Sequence, residues 1–357
     1  MRQSFNKYWI VCFLILLGVN QEVIAQLGQD TILYKETTLS RPLNVHKGQL
    51  RIIGGYSMKT NTRYYDDSGN TEELSELGIS SIEHNFLFGL NYGIIEYLQF
   101  TAGIIWNRHG QRGQNLFLVS GVDPSLDVST FDEYNGSEDL YLGLDFRLPL
   151  KTRKLDWLFS VGLTLPTAEN GDSQPEHSYG DIDEYSNSTK VVYHYVHNYG
   201  YGTNTVIPAM SLKYRISKFG ITGYLSYRHP LGESAADAWS YQLDDNNEFI
   251  YENAEYSYQK SWTFNYSIIA EYQALSMLNG FINYHSGKSY GGWTTETGKK
   301  IADPEVVLNE LLLGIELVVT PKFWIRQSIG FPLGGTNSFA PFSLNTGLSY
   351  NFFPFSK

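Results

Sequence analysis

The chain has 357 residues, a formal net charge of −11, a mean hydropathy of −0.27 and one cysteine. The acidic balance excludes nucleic acid as a partner, because binding a phosphate backbone requires a basic surface. Aromatic residues make up 15% of the chain, an enrichment typical of barrels with aromatic girdles at the membrane interfaces.

The first 25 residues predict a secretory signal peptide. Arg2 and Lys7 supply its positive region, residues 8–19 its apolar region and residues 23–25 a small-residue cleavage site. The apolar region is too short to span a bilayer as a helix, and an uncleaved signal anchor is the alternative. Cys12 lies in this segment, so the mature chain has no cysteine for disulfides, thiol catalysis, lipidation or metal binding.

Residues 26–47 follow the signal peptide and lack any apolar–polar alternation. They are either a disordered periplasmic leader or a plug that enters a barrel lumen. In the plug interpretation, Arg41, Pro42, Asn44 and His46 reach the barrel floor.

From residue 48 onwards, apolar and polar residues alternate in twelve blocks. In one block Trp262, Phe264 and Tyr266 alternate with Thr263 and Asn265. A strand sends successive side chains to opposite faces, so each block has an apolar face and a polar face. The predicted strands are 48–64, 77–95, 97–109, 137–150, 156–168, 204–216, 219–231, 257–273, 277–287, 308–319, 323–333 and 341–353. A soluble β-sandwich is the alternative fold, and block 308–319 alone could be an amphipathic helix.

Short and long connections alternate strictly between these strands. The short ones lie near residue 96 and at 152–155, 217–218, 274–276 and 321–322, and the long ones at 65–76, 110–136, 169–203, 232–256, 288–307 and 334–340. Periplasmic turns and extracellular loops of membrane barrels alternate in this way. The sequence therefore predicts an all-β fold, a transmembrane antiparallel up-and-down β-barrel of about 12 strands over residues 48–357. An even strand number predicts periplasmic termini, and the aromatic last strand is typical of the signal for the barrel-insertion machinery.

Strand parity predicts charged side chains of both signs on the inner face. The lumen-lining candidates are Arg51, Lys59, Glu83, Asp139, Asp145, Arg147, Lys213, Arg215, Arg228, Glu271, Glu310, Glu316 and Arg326. They either pair across the lumen of a narrow, filled barrel or line a polar pathway whose charges tune selectivity. The limited interior of a barrel of this size disfavours a wide diffusion pore.

The sequence predicts no enzyme, no cofactor and no metal site. A Ser/His lipid hydrolase is the strongest enzymatic alternative, but parity directs His285 to the lumen and Ser286 to the opposite face. Loop side chains with cation-binding chemistry are expected to be solvated: Asp181, Asp183, Glu184, His194, His197, Asp244 and Asp245.

Four parts of the chain carry a resemblance to a known family. They are residues 41–52, at the entry to the first strand, and residues 92–99, 136–144 and 163–172. The last of these matches a Leu-Pro-Thr-Gly element of the family, with Ala168 in place of the usual glycine. From residue 41 to the C-terminus the chain thus resembles the outer-membrane barrels called meta-pathway-of-phenol-degradation-like transporters. The resemblance implies passive or semi-selective passage of small, often hydrophobic or aromatic molecules, and it provides no catalytic residues.

The sequence therefore predicts a channel or transporter in the outer membrane of a Gram-negative bacterium. Its expected partners are outer-membrane lipid, the barrel-insertion machinery and a small-molecule solute. The alternative is a non-transporting surface barrel that acts as an adhesin, receptor or structural anchor through its long extracellular loops.

Overall fold

The computed structural model describes residues 39–74, 80–114, 129–150, 152, 154–168, 190–194, 203–232, 234–243, 249–294, 300–302 and 305–354. These residues form 17 β-strands. The strands are β1 (Leu50–Tyr65), β2 (Thr71–Glu73), β3 (Ser80–Ile95), β4 (Leu98–Gln114), β5 (Ser129–Ser137), β6 (Leu140–Arg147), β7 (Leu155–Leu165), β8 (Lys190–His194), β9 (Thr205–Ile216), β10 (Phe219–Pro230), β11 (Ser234–Leu243), β12 (Phe249–Leu275), β13 (Leu278–Thr294), β14 (Lys300–Ala302), β15 (Val306–Val318), β16 (Phe323–Thr336) and β17 (Ser338–Phe352). Within the described ranges, no helix is long and apolar enough to cross a membrane.

Twelve of these strands close into an antiparallel barrel. The ring runs β1–β3–β4–β6–β7–β9–β10–β12–β13–β15–β16–β17, and β17 pairs back onto β1. The closing ladder extends from the pair Leu50–Phe352 to the pair Thr60–Phe342 and continues beyond it. Closure leaves no unpaired edge strand in the ring. The predicted all-β barrel of about 12 strands is confirmed.

The outside of the barrel is apolar and the inside is polar. Phe88, Val161 and Ile221 are 59%, 62% and 55% exposed, whereas the charged side chains Asp145 and Lys213 are buried. Strand alternation produces this arrangement, because successive residues of each strand point alternately to the lipid face and to the lumen, and the apolar residues occupy the outward positions. It reverses the usual distribution in a water-soluble protein.

The long connections contain more strand than the sequence predicts. Strand β12 begins at Phe249 and β13 continues to Thr294, while β5, β8, β11 and β14 form inside predicted loops. The prediction of a long loop at 334–340 is wrong, because β16 and β17 meet in a tight hairpin at Asn337, whose φ is +47°. Where both faces of a strand are polar, the backbone still pairs but the apolar alternation that reveals a strand is absent.

Four short turns lie at one end of the barrel, here called the short-turn end, and they join β3 to β4, β9 to β10, β12 to β13 and β15 to β16. The tight hairpin between β16 and β17 lies at the other end. The strand extensions and the additional strands β2, β5, β8, β11 and β14 lie towards the other end.

Candidate functional site

The barrel encloses a cavity of about 860 Å³. Its lining residues come from β1, β3, β4, β6, β7, β9, β10, β12 and β13, so the cavity lies within the ring of strands. Pockets that bind small molecules commonly measure about 300–1,000 Å³. The lumen is therefore narrow, but it has room for a small solute.

The cavity wall combines apolar and hydrogen-bonding groups. Ile53, Leu87, Leu158 and Ile207 supply apolar surface. The polar and aromatic lining side chains are Asn91, Thr101, Tyr141, Ser160, Thr164, Ser211, Tyr224, Ser226 and Asn265. Small-molecule sites usually have this composition, in which apolar surface provides area and a few polar groups orient the ligand.

Two glycines allow the ring of Tyr141 to lie against the barrel wall. Gly143 of β6 pairs with Gly162 of β7. A Cβ at Gly143 would lie 2.6 Å from the Tyr141 Oη, and one at Gly162 would lie 2.3 Å from the Tyr141 Cε2. A side chain at either position would displace the ring, so this part of the wall depends on both glycines.

Residues 39–46, here called the N-terminal segment, cross the short-turn end of the barrel. Leu39 and Val45 are buried, with 3% and 1% exposure. Leu39 contacts β10, where its Cδ1 lies 2.4 Å from the position of a Cβ at Gly220. The backbone amide of Val45 donates to Gln99 of β4. The segment therefore contacts parts of the wall that are far apart around the ring.

Arg215 of β9 holds the start of this segment. Its guanidinium donates to the carbonyl oxygens of Leu39, Ser40 and Arg41 at 3.4, 2.6 and 3.3 Å. The same guanidinium forms an ion pair with Asp156 of β7 at 2.9 Å. Guanidinium has five N–H donors in a rigid plane, which allows one side chain to serve a carboxylate and a run of backbone carbonyls.

Glu316 of β15, four strands further around the ring, also anchors the segment. It pairs with Arg41 at 3.2 Å and with Arg326 of β16 at 3.9 Å. Each guanidinium also stacks on an aromatic ring, Arg41 over Trp324 and Arg326 over Phe281, both at 3.8 Å from the ring centre. These charged groups are therefore neutralised by ion pairs and packed by cation–π contacts.

The end of the segment packs against the turn between β3 and β4. Asn44 donates to the carbonyl oxygen of Glu96 at 2.9 Å, and His46 lies 3.5 Å from the Glu96 carboxylate. The backbone of His46 approaches Gly93 so closely that a Cβ there would lie 1.8 Å from the His46 carbonyl oxygen. Only glycine fits at position 93 with the segment in this place.

The predicted lumen candidates occupy three environments. Lys59, Asp139, Asp145 and Arg228 line the cavity. Arg215, Glu316 and Arg326 belong to the contacts around the N-terminal segment, and Lys213 pairs with Glu271 at 3.7 Å in the same part of the lumen.

The remaining candidates have local partners. Arg51 donates to Asn351 at 2.8 Å, Arg147 lies 3.7 Å from Glu96, and Glu83 pairs with Lys59 at 3.8 Å. Glu310 is the cross-strand neighbour of His285. That these 13 side chains line a solute path remains a prediction.

Asp156, Gln99 and Trp324 take part in these contacts but were not among the predicted candidates. Asp156 has the parity of the inner face and could have been found by that signal. Gln99 and Trp324 are uncharged, whereas all the predicted candidates are charged. Their roles depend on contacts with the N-terminal segment, for which the sequence has no periodic signal.

The described residues hold no group of three or more His, Cys, Asp or Glu side chains arranged to bind a metal ion. His285 lines the cavity, and the adjacent Ser286 points to the other face by strand parity. His194 lies in β8. The remaining loop side chains with cation-binding chemistry lie outside the described residues, namely Asp181, Asp183, Glu184, His197, Asp244 and Asp245.

No protein-family model and no curated protein matches the chain. Solved structures do match it. An outer membrane channel from Pseudomonas putida F1 has a TM-score of 0.55 and 14% identity, covering 86% of this chain and 97% of that chain. A deletion mutant of the monoaromatic hydrocarbon channel TodX has a TM-score of 0.53 and 12% identity, covering 91% and 94%. The Pseudomonas putida toluene transporter TodX has a TM-score of 0.50 and 9% identity, covering 90% and 93%. At these identities, the likeness shows that the chain shares a barrel fold with these channels.

Proposed function

We propose that this protein is an outer-membrane channel for small apolar or aromatic solutes. The observation that carries this proposal is a closed barrel with an apolar outer surface and a cavity inside. A closed barrel satisfies every backbone group of its strands, which is the requirement for crossing lipid with β-structure. The barrel fold shared with a monoaromatic hydrocarbon channel and a toluene transporter supports the choice of solute.

Residues 39–47, the described part of the predicted leader or plug at 26–47, act as the plug of this channel. The burial of Leu39 and Val45 and the contacts of Arg41 support this role, because they fill the short-turn end of the lumen. A solute that crosses the barrel requires this segment to move or to leave a gap beside it. The charged residues around the segment therefore control the plug, and Lys59, Asp139, Asp145 and Arg228 line the solute path above it.

The protein belongs in the outer membrane of a Gram-negative bacterium. Residues 1–25 direct export and are then removed. A ring of twelve strands has both ends on the same side, which supports periplasmic termini. The barrel-insertion machinery recognises the aromatic end of β17, and outer-membrane lipid covers the apolar outside.

Planar-bilayer recording with the purified mature protein tests the channel. We expect discrete conductance steps, together with faster entry of labelled toluene into Gram-negative cells that express the protein. Absence of both would overturn the proposal. Normal binding of the protein to surfaces or cells without permeation would instead favour the surface-barrel alternative, which has no support among the contacts of the described residues.

A further inference from the structure

Asp145 is a buried carboxylate held by hydrogen bonds from neutral side chains. It is 7% exposed and lines the cavity. One of its oxygens accepts hydrogen bonds from the Gln99 amide and the Thr101 hydroxyl, both at 2.6 Å. Within the described ranges, no lysine, arginine or histidine lies within 4.0 Å of this carboxylate.

Three other acids inside the barrel are paired with bases. Asp156 lies 2.9 Å from Arg215, Glu316 lies 3.2 Å from Arg41, and Glu271 lies 3.7 Å from Lys213. A buried charge held only by neutral donors is unfavourable compared with an ion pair. A carboxylate accepts about four hydrogen bonds, so Asp145 retains capacity for a donor that enters the cavity.

Apolar groups lie beside this carboxylate. The Tyr141 ring extends along β6 over Gly143, so its hydroxyl end lies towards Asp145. Leu158 and Ile207 complete an apolar wall on β7 and β9. The site thus combines one acidic acceptor with an aromatic ring and two aliphatic side chains.

The cations of the cavity wall are already engaged. Lys59 pairs with Glu83 at 3.8 Å, and Arg228 has interactions of its own. Two other acids line the cavity: half-buried Glu138 accepts from Asn107 at 3.0 Å, and Asp139 accepts from the Ala168 amide at 3.2 Å and has further interactions. Asp145 is the buried acid beside the Tyr141 ring, and its negative charge disfavours anions.

We propose that Asp145 is the recognition group of a solute-binding site in this cavity. The site takes small molecules with an apolar body and a neutral or cationic head that donates hydrogen bonds, and it rejects carboxylates of the same size. The body packs against Tyr141, Leu158 and Ile207, and the head donates to the Asp145 carboxylate. This inference rests on the proposed channel function and specifies its solute.

Isothermal titration of the full mature protein in detergent tests the site with benzylamine, which is cationic at pH 7, and with benzoate, which has the same ring and the opposite charge. We expect benzylamine to bind at least about tenfold more tightly than benzoate, as for a charge-assisted hydrogen bond. Asp145→Asn can still accept from Gln99 and Thr101, so it should lose only the charge and weaken benzylamine binding by about tenfold. Glu73→Gln removes one acid from the exposed strand β2 and should change neither affinity.

Equal binding of the two probes to the native protein would overturn the inference, even if Asp145→Asn failed to fold. Unchanged benzylamine binding by a folded Asp145→Asn protein would also overturn it. Passage of toluene together with equal binding of benzylamine and benzoate would support the channel and refute the Asp145 site. Selective benzylamine binding without conductance or toluene uptake would support the site and refute the channel.

Discussion

The two halves of the lumen use charge in different ways. At the short-turn end, Arg41 pairs with Glu316 and Arg215 pairs with Asp156, on either side of the N-terminal segment. In the cavity above it, Asp145 is held by an amide and a hydroxyl. Asp145, Arg215 and Glu316 all point inward from strands of the ring. The difference lies in what fills the space between them, a polypeptide segment in one half and a cavity in the other.

A charged side chain that points into the lumen can have one of two roles. A paired and packed charge fixes the position of the protein's own chain, because its interactions are satisfied internally. A buried charge that faces open volume has interactions left for a ligand. Gln99 lies at the boundary, since its amide accepts from Val45 of the N-terminal segment at 2.8 Å and donates to Asp145 at 2.6 Å.

The largest effect is expected from removing Arg215. Arg215→Ala leaves Asp156 buried without its cation and frees the carbonyl oxygens of Leu39, Ser40 and Arg41. Breaking one side of a buried ion pair costs about 3–5 kcal/mol. We expect the segment to leave the short-turn end and the bilayer conductance to rise several-fold.

Arg215→Lys is the matched control for this change. Lysine keeps the charge near Asp156 but lacks the planar fork that reaches the carbonyl oxygens. Its conductance should lie between those of the native protein and Arg215→Ala. A native conductance in a correctly folded Arg215→Ala protein would show that Arg215 does not hold the segment.

A purely steric change at Gly93 tests the same segment without altering charge. The Cβ of Gly93→Ala would overlap the carbonyl oxygen of His46, and overpacking of this kind costs about 1–3 kcal/mol. We expect a raised conductance and a lower urea midpoint. Gly54→Ala, whose Cβ would have no atom within 4 Å, should match the native protein in both measurements. Equal effects of the two substitutions would argue against close packing of the segment on β3.

The sequence predicts the ring of strands better than the contacts within it. Block 308–319 corresponds to β15 at Val306–Val318, because its outer face is uniformly apolar. The early start of β12 at Phe249 is missed, since residues 249–256 mix apolar and polar side chains on both faces. The partners of the inward charges are also missed. Asp145 meets Gln99, 46 residues away, and Asp156 meets Arg215, 59 residues away, and parity carries no information about such distances.

Replacing Arg41 is expected to have a smaller effect than replacing Arg215. Arg41→Ala removes a 3.2 Å ion pair and the stacking on Trp324, but Arg326 still lies 3.9 Å from Glu316. The remaining arginine partly neutralises the acid, so we expect a loss of about 1–3 kcal/mol in urea unfolding. Arg41→Lys keeps the charge without the planar stacking and should lose less. An Arg41→Ala loss as large as that of Arg215→Ala would mean that Arg326 does not compensate.

The smallest effect is expected at an exposed acid outside the lumen, Asp66 in the turn after β1. Its carboxylate accepts from the Asn70 side chain at 2.9 Å and from the backbone amides of Ser68 and Asn70. These hydrogen bonds lower the pKa of Asp66, with the Asn70 side chain as the largest cause. A lowered folded-state pKa means that the turn gains stability above the unfolded value of about 3.9 and loses it as the pH falls through the folded value. The backbone amides of Ser68 and Asn70 should therefore be equally protected from hydrogen exchange at pH 5 and pH 7, and less protected below about pH 4. In Asp66→Asn their protection should not fall in this way. A loss of protection of the same size in Asp66→Asn would assign the titration to another group. Protonation of Asp66 should leave the conductance unchanged, because this charge touches neither the N-terminal segment nor the cavity.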